Sequence, residues 1–89
     1  GTTPLHGAVE GGHDDVVKLL LDKFADVHVK TTDDDTPLHL AVDGGHCTTA
    51  RMLLDSGADL DARNSSGETP ADIASAEGLE EVLSVLRAE

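Results

Sequence analysis

The sequence predicts an all-α fold, a solenoid of stacked helix–turn–helix units joined by β-hairpin loops. Two observations carry that expectation. A tetrapeptide, Thr3-Pro4-Leu5-His6, returns as Thr36-Pro37-Leu38-His39, and its Thr-Pro returns once more in Thr69-Pro70-Ala71-Asp72, each time 33 residues on. Apolar residues inside each unit then follow helical rather than alternating spacing.

Other positions keep the same offset. Ala8, Ala41 and Ala74 are equivalent, as are Gly12, Gly45 and Gly78, and Leu20, Leu53 and Leu86. Gly11-Gly12-His13 matches Gly44-Gly45-His46, and Ala25-Asp26 matches Ala58-Asp59. Without gaps, residues 1–33 and 34–66 agree at 14 of 33 positions. The chain divides into one domain of three repeats, 1–33, 34–66 and a shorter 67–89.

Each unit opens with a helix start. Thr3, Thr36 and Thr69 are N-cap residues, and Pro4, Pro37 and Pro70 suit the first helical turn. Asp72, three residues after Thr69, completes a variant capping box. The paired glycines end this first helix. Asp14-Asp15 opens a second helix with charge that complements its N-terminus, and Val16, Val17, Leu19, Leu20 and Leu21 give it an apolar surface. From Asp22 to Thr36 helical periodicity is lost, so turns are expected near 30–34 and 63–67. In the third unit Arg87 replaces Leu21 and Leu54. Glu80, Ser84 and Arg87 form a polar stripe opposite Leu79, Val82, Leu83 and Leu86, as a terminal, capping unit requires.

The repeats resemble the ankyrin family, whose period is 33 and whose signature is T-P-L-H-x-A. The resemblance covers essentially the whole chain. It implies that Asp22–Thr36 forms a loop and hairpin, and that His6 and His39 hydrogen-bond locally and to the backbone of the next repeat. It also implies a protein-binding concave face of hairpin tips and exposed first-helix positions: Thr2, Glu10, Gly11, Thr32, Asp33, Asp35, Asp43, Gly44, Ser65, Ser66, Glu68, Ala76 and Glu77. Six of these are acidic and none is basic, so a basic partner segment is expected.

Two positions depart from the family pattern. Asp34 stands where Gly1 and Gly67 mark a tight turn, and Asp tolerates the left-handed backbone better than most residues. Its neighbours Asp33 and Asp35 complete a like-charged triplet whose mutual repulsion argues against a stabilising role. Phe24, the lone aromatic residue, takes the place of Gly57. It is expected to pack over a neighbouring repeat, with an exposed anchor for a partner as the alternative.

Composition narrows the function. Eighteen Asp and Glu stand against six Lys and Arg, a net charge of -12. Nucleic acid and anionic membranes need the opposite sign, and no apolar run is long enough to span a bilayer. One cysteine, Cys47, allows no intrachain disulfide and suits a cytoplasmic or nuclear setting. Thr31-Thr32-Asp33-Asp34-Asp35 lacks the alternating ligands, central Gly and closing Glu of a calcium loop. His6 and His39, like His13 and His46, are repeat-equivalent, and helices packed about 8–10 Å apart hold such pairs too far apart to share an ion. No cofactor, metal site or catalytic constellation is expected.

The expected function is a scaffold or adaptor surface for a protein partner. The alternative is a regulatory or targeting segment packing against its own parent enzyme or channel. A third reading makes the array a substrate of an ankyrin-directed asparaginyl hydroxylase in a eukaryotic host. His28 and Asp61 each follow a Leu by eight residues and an Asp by two, although neither is the preferred Asn. Because no polar cap precedes Gly1, the chain is expected either to continue N-terminally as part of a longer array or to self-associate through its first repeat.

Overall fold

The computed structural model describes residues 4–23 and 26–87, the side chain of Arg87 excepted. Six helices follow in order: α1 (Pro4–Glu10), α2 (Asp14–Asp22), α3 (Pro37–Asp43), α4 (Cys47–Asp55), α5 (Pro70–Ala76) and α6 (Glu80–Arg87). They pair as α1–α2, α3–α4 and α5–α6. The odd-numbered helices pack in one row and the even-numbered in a second.

Neither row could bury its apolar side alone. Leu5 and Val9 of α1, Leu38 and Val42 of α3, and Ile73 and Ala74 of α5 meet Val17, Ala50, Leu53, Val82, Val85 and Leu86 of the second row in one continuous core. No described aromatic ring takes part. The third unit buries Val82 and Leu86, partly buries Leu79 and Leu83, and exposes Glu80 and Ser84, as expected of its polar outer side.

The helix starts explain the Thr-Pro signature. Thr36 accepts from the backbone N–H of His39, and the Nδ1 of His39 accepts in return from the N–H of Thr36 at 3.1 Å. The third unit builds the same box with a carboxylate. Thr69 accepts from the N–H of Asp72, and Asp72 accepts from the N–H of Thr69 at 3.1 Å. The latter bond, followed by one to the Thr69 side chain, holds the Asp72 carboxyl below its ordinary range. Thr3 lies outside the described residues, as do Gly1, Thr2 and Phe24 and the expectations placed on them.

The first helices end as the paired glycines require. Gly12, Gly45 and Gly78 have φ of 66, 71 and 67°, a left-handed conformation that costs glycine little. Gly12 is further constrained because the His46 ring lies 2.8 Å from where a Cβ would project. That ring bridges two units through a 3.1 Å hydrogen bond between its Nε2 and the carbonyl of Glu10.

Between units the chain doubles back in two matching turns. The N–H of Thr31 donates to Asp35 O at 3.0 Å, and that of Asn64 donates to Glu68 O at 3.0 Å. These are the expected hairpin tips. No strand ladder extends from them among the described residues, because one such backbone bond closes each turn. Asp34 adopts φ 62°, matching the 75° of Gly67. Asp34→Val should therefore destabilise the fold by about 1–2 kcal/mol, since a β-branched residue there meets the steric cost of the left-handed region. A urea midpoint equal to that of the parent protein would show that the turn does not need this conformation.

Candidate functional site

The inner row and the two turns enclose a groove of about 460 Å³ on the concave side between the second and third units. Its floor is His39 and Leu40 of α3 with Ile73 of α5. Its walls are Asp33 and Asp35 from the first turn, Asn64, Ser65, Ser66 and Glu68 from the second, and Asp43, Ala76 and Glu77 at the helix ends. Five carboxylates thus converge on one cleft, and no Lys or Arg lines it.

The third unit sits in register because His39 fixes the second turn. Its Nδ1 accepts from Thr36, so its Nε2 carries the proton and donates to Glu68 O at 2.8 Å. A second clasp joins the turns. The N–H of Ser65 donates to Asp33 O at 2.9 Å, and Asn64 Nδ2 donates to Asp35 Oδ1 at 3.0 Å. Asn64 Nδ2 also reaches Glu68 Oε1 at 3.4 Å, while its Oδ1 accepts from the N–H of Ser66 and of Glu68, each at 3.0 Å. Asn64 therefore aims two of the five carboxylates.

Helix direction adds to the negative potential. Asp43 is the last residue of α3 and Glu77 is the C-cap of α5. Helix carbonyl ends are themselves partly negative, so acids there are unfavourable. A hydrogen bond to Asp43 is the largest cause raising the Glu77 carboxyl above its ordinary value; desolvation and the charges of Asp43 and Glu68 push the same way. The groove holds negative charge against its own repulsion.

Of the positions expected on the concave face, the groove gathers Asp33, Asp35, Asp43, Ser65, Ser66, Glu68, Ala76 and Glu77. Glu10 and Thr32 are exposed but do not line it, and Gly11 and Gly44 stay exposed at helix ends. Thr2 lies outside the described residues. One expectation about Asp33–Asp35 needs correction. The triplet is not simply self-repelling, because Asp35 accepts from Asn64 and Asp34 Oδ2 accepts from Ser65 Oγ at 3.5 Å. Hydrogen bonds to the next turn offset part of the repulsion.

The histidines follow the expected plan with one difference. His6 and His39 are buried, and His39 reaches the next unit. The bond described for His6 joins its Nε2 to Val29 O at 3.2 Å, within residues 1–33, because the chain leaving α2 brings that carbonyl under the ring. Asp26 and Asp59 accept from the N–H of His28 and Asp61 at 2.8 and 2.9 Å. The Asp two residues before each of those positions thus has a local turn role. Cys47 is partly buried, its Sγ 3.8 Å from Glu81 O. Among the described residues no group of His, Cys, Asp and Glu is arranged to hold a metal ion. No described helix is long and apolar enough to cross a membrane.

Sequence reasoning missed Asn64, His39 and Leu40 as parts of the groove. The signal for Asn64 was available in the repeat. Its equivalent, Thr31, uses Oγ1 to accept from the N–H of Asp33 and of Asp35, both at 3.2 Å, the task that Asn64 Oδ1 performs one unit later.

No curated protein sequence matches the chain. A family profile described as ankyrin repeats, in three copies, matches residues 5–89. With that match, the 33-residue period and the stacked helix pairs, the chain belongs to the ankyrin-repeat family.

Proposed function

We propose that this protein is a scaffold or adaptor whose groove between the second and third repeats takes a Lys/Arg-rich segment of a partner protein. Ankyrin repeats are in general protein-interaction modules. The observation that supports the finer reading is the convergence of Asp33, Asp35, Asp43, Glu68 and Glu77 on one cleft without a lining cation. Two of these acids stand at helix C-terminal ends, where they serve stability poorly and a bound cation well. The exposed Leu40–Ile73 edge offers apolar surface to the stems of Lys and Arg, which bury methylenes while their charges reach carboxylates. A single reduced cysteine fits action in the cytoplasm or nucleus.

The test is a titration with a fluorescent Lys/Arg-rich peptide, against an acidic peptide of equal length. The basic peptide should bind and weaken as salt rises, because exposed charges are screened beyond about 8 Å at physiological ionic strength. Equal affinity for both peptides, or indifference to salt, would reject the reading.

Acid should also weaken the complex. Since its carboxyl is raised, Glu77 takes up a proton at a higher pH than an ordinary glutamate, losing its attraction for a cation. Between about pH 7 and pH 4, which spans ordinary carboxylate values, affinity should fall, and Glu77→Gln should remove the earliest part of the fall. Peptide binding should correspondingly release protons at the upper edge of that window. A profile identical in the parent and Glu77→Gln would show that Glu77 does not meet the ligand.

A further inference from the structure

The repeat register makes one face of α2 anomalous. Val16 is 47% and Leu19 56% exposed, the exposed large apolar residues among those described. At the positions equivalent to Val16, Thr49 and Val82 are 1% and 2% exposed; at those equivalent to Leu19, Met52 is partly buried and Val85 is 6% exposed. In the second and third units a preceding helix pair covers these positions, and in the first no described residue does. Val16, Leu19, the partly buried Leu20 and Lys23 fall at i, i+3, i+4 and i+7, one stripe of a helix. Lys18, Leu21 and Asp22 on another side of α2 line a cleft with Met52, Asp55 and Ser56, so the stripe points away from the stack.

We infer that this stripe is a self-association surface that receives the same stripe of a second copy about a twofold axis, α2 antiparallel to α2 and centred on Leu19. Such a crossing continues the stacking that already buries the equivalent positions. It is also complementary in charge. Asp15 and Lys23 are exposed and lie four residues either side of Leu19, about 6 Å along the axis. An antiparallel crossing therefore brings Asp15 of each copy level with Lys23 of the other.

Charge selects this arrangement over head-to-tail stacking. Residues 1–33 hold three of the six cations but only six of the eighteen carboxylates, so two copies repel least when their first repeats meet. The opposite end of the stack has Asp61 and Asp72 beside its apolar Leu60, Leu83 and Leu86. Head-to-tail stacking would set that end against Asp14 and Asp15. A single helix stripe is smaller than the about 800 Å² per partner of a standard interface, so the dimer is a weak one.

Sedimentation equilibrium of the intact chain, from about 10 μM to about 1 mM where weak dimers of this kind populate, should show a monomer–dimer equilibrium. Leu19→Glu should raise its dissociation constant at least about tenfold, 1.4 kcal/mol, without moving the urea midpoint. Lys23→Asp should weaken the dimer and Asp15→Lys with Lys23→Asp restore it, which serves equally if Leu19→Glu alters the fold. In a Cys47→Ala background, Leu19→Cys should form a disulfide-linked dimer in air, since the axis brings the two residues together. A monomer at every concentration would overturn the proposal. So would a dimer indifferent to Leu19→Glu and Lys23→Asp, growth beyond the dimer, or failure of the Leu19→Cys cross-link in a protein that still dimerises.

Discussion

Replacing His39 with Ala should cost about 3–4 kcal/mol of folding stability, the largest loss expected from one side chain here. The ring is 1% exposed and serves two repeats at once. Its Nδ1 accepts from the N–H of Thr36, and lies 2.8 Å from the Thr36 hydroxyl, while its Nε2 donates to Glu68 O. Truncation strands a buried N–H and removes the donor to Glu68. Each orphaned buried group costs about 1–3 kcal/mol, and the space left by the ring adds a cavity term. A domain of this size holds only about 5–15 kcal/mol in total, so much of the margin should go. Thr69→Ala, which removes only an exposed cap, should cost about 1 kcal/mol. Urea denaturation of both variants checks the ranking. A loss for His39→Ala no larger than that for Thr69→Ala would mean that the bond to Glu68 does not hold the third repeat in place.

The stacking of helix pairs was readable because it rests on residues that repeat. Thr36 and Thr69, the glycines at 12, 45 and 78, and Asp34 in the left-handed turn each do what their residue type dictates, at an offset of 33. The groove was readable in part, because register alone carries Asp33, Asp43 and Glu77 to one side. Asn64 was not anticipated, since its role depends on pairing with Asp35 across the gap between two turns. Such a contact joins residues that differ from their repeat equivalents and has no periodic signature. The bond from His6 to Val29 escaped for the same reason. It follows the path of one particular loop rather than the shared register.

Asp33, Asp35 and Asp43 replaced together by Asn should slow association with a basic partner about tenfold at low ionic strength. The three acids stand within one cleft with Glu68 and Glu77, and like charges lining a cleft focus the field that steers an incoming cation. Asn keeps the shape of each side chain and an oxygen able to accept the Asn64 bond at position 35, so the clasp between the turns survives. The urea midpoint should stay level or rise slightly, because the substitutions relieve repulsion among the acids and at the α3 C-terminus. The effect belongs chiefly to the association rate, and it should shrink as salt rises and screens parent and variant alike. Stopped-flow mixing with the basic peptide across a salt series reads all of these. If acidity serves only to keep the protein soluble, parent and triple variant should associate at one rate at low salt, and the groove would lose its assigned role while the repeat fold remained intact.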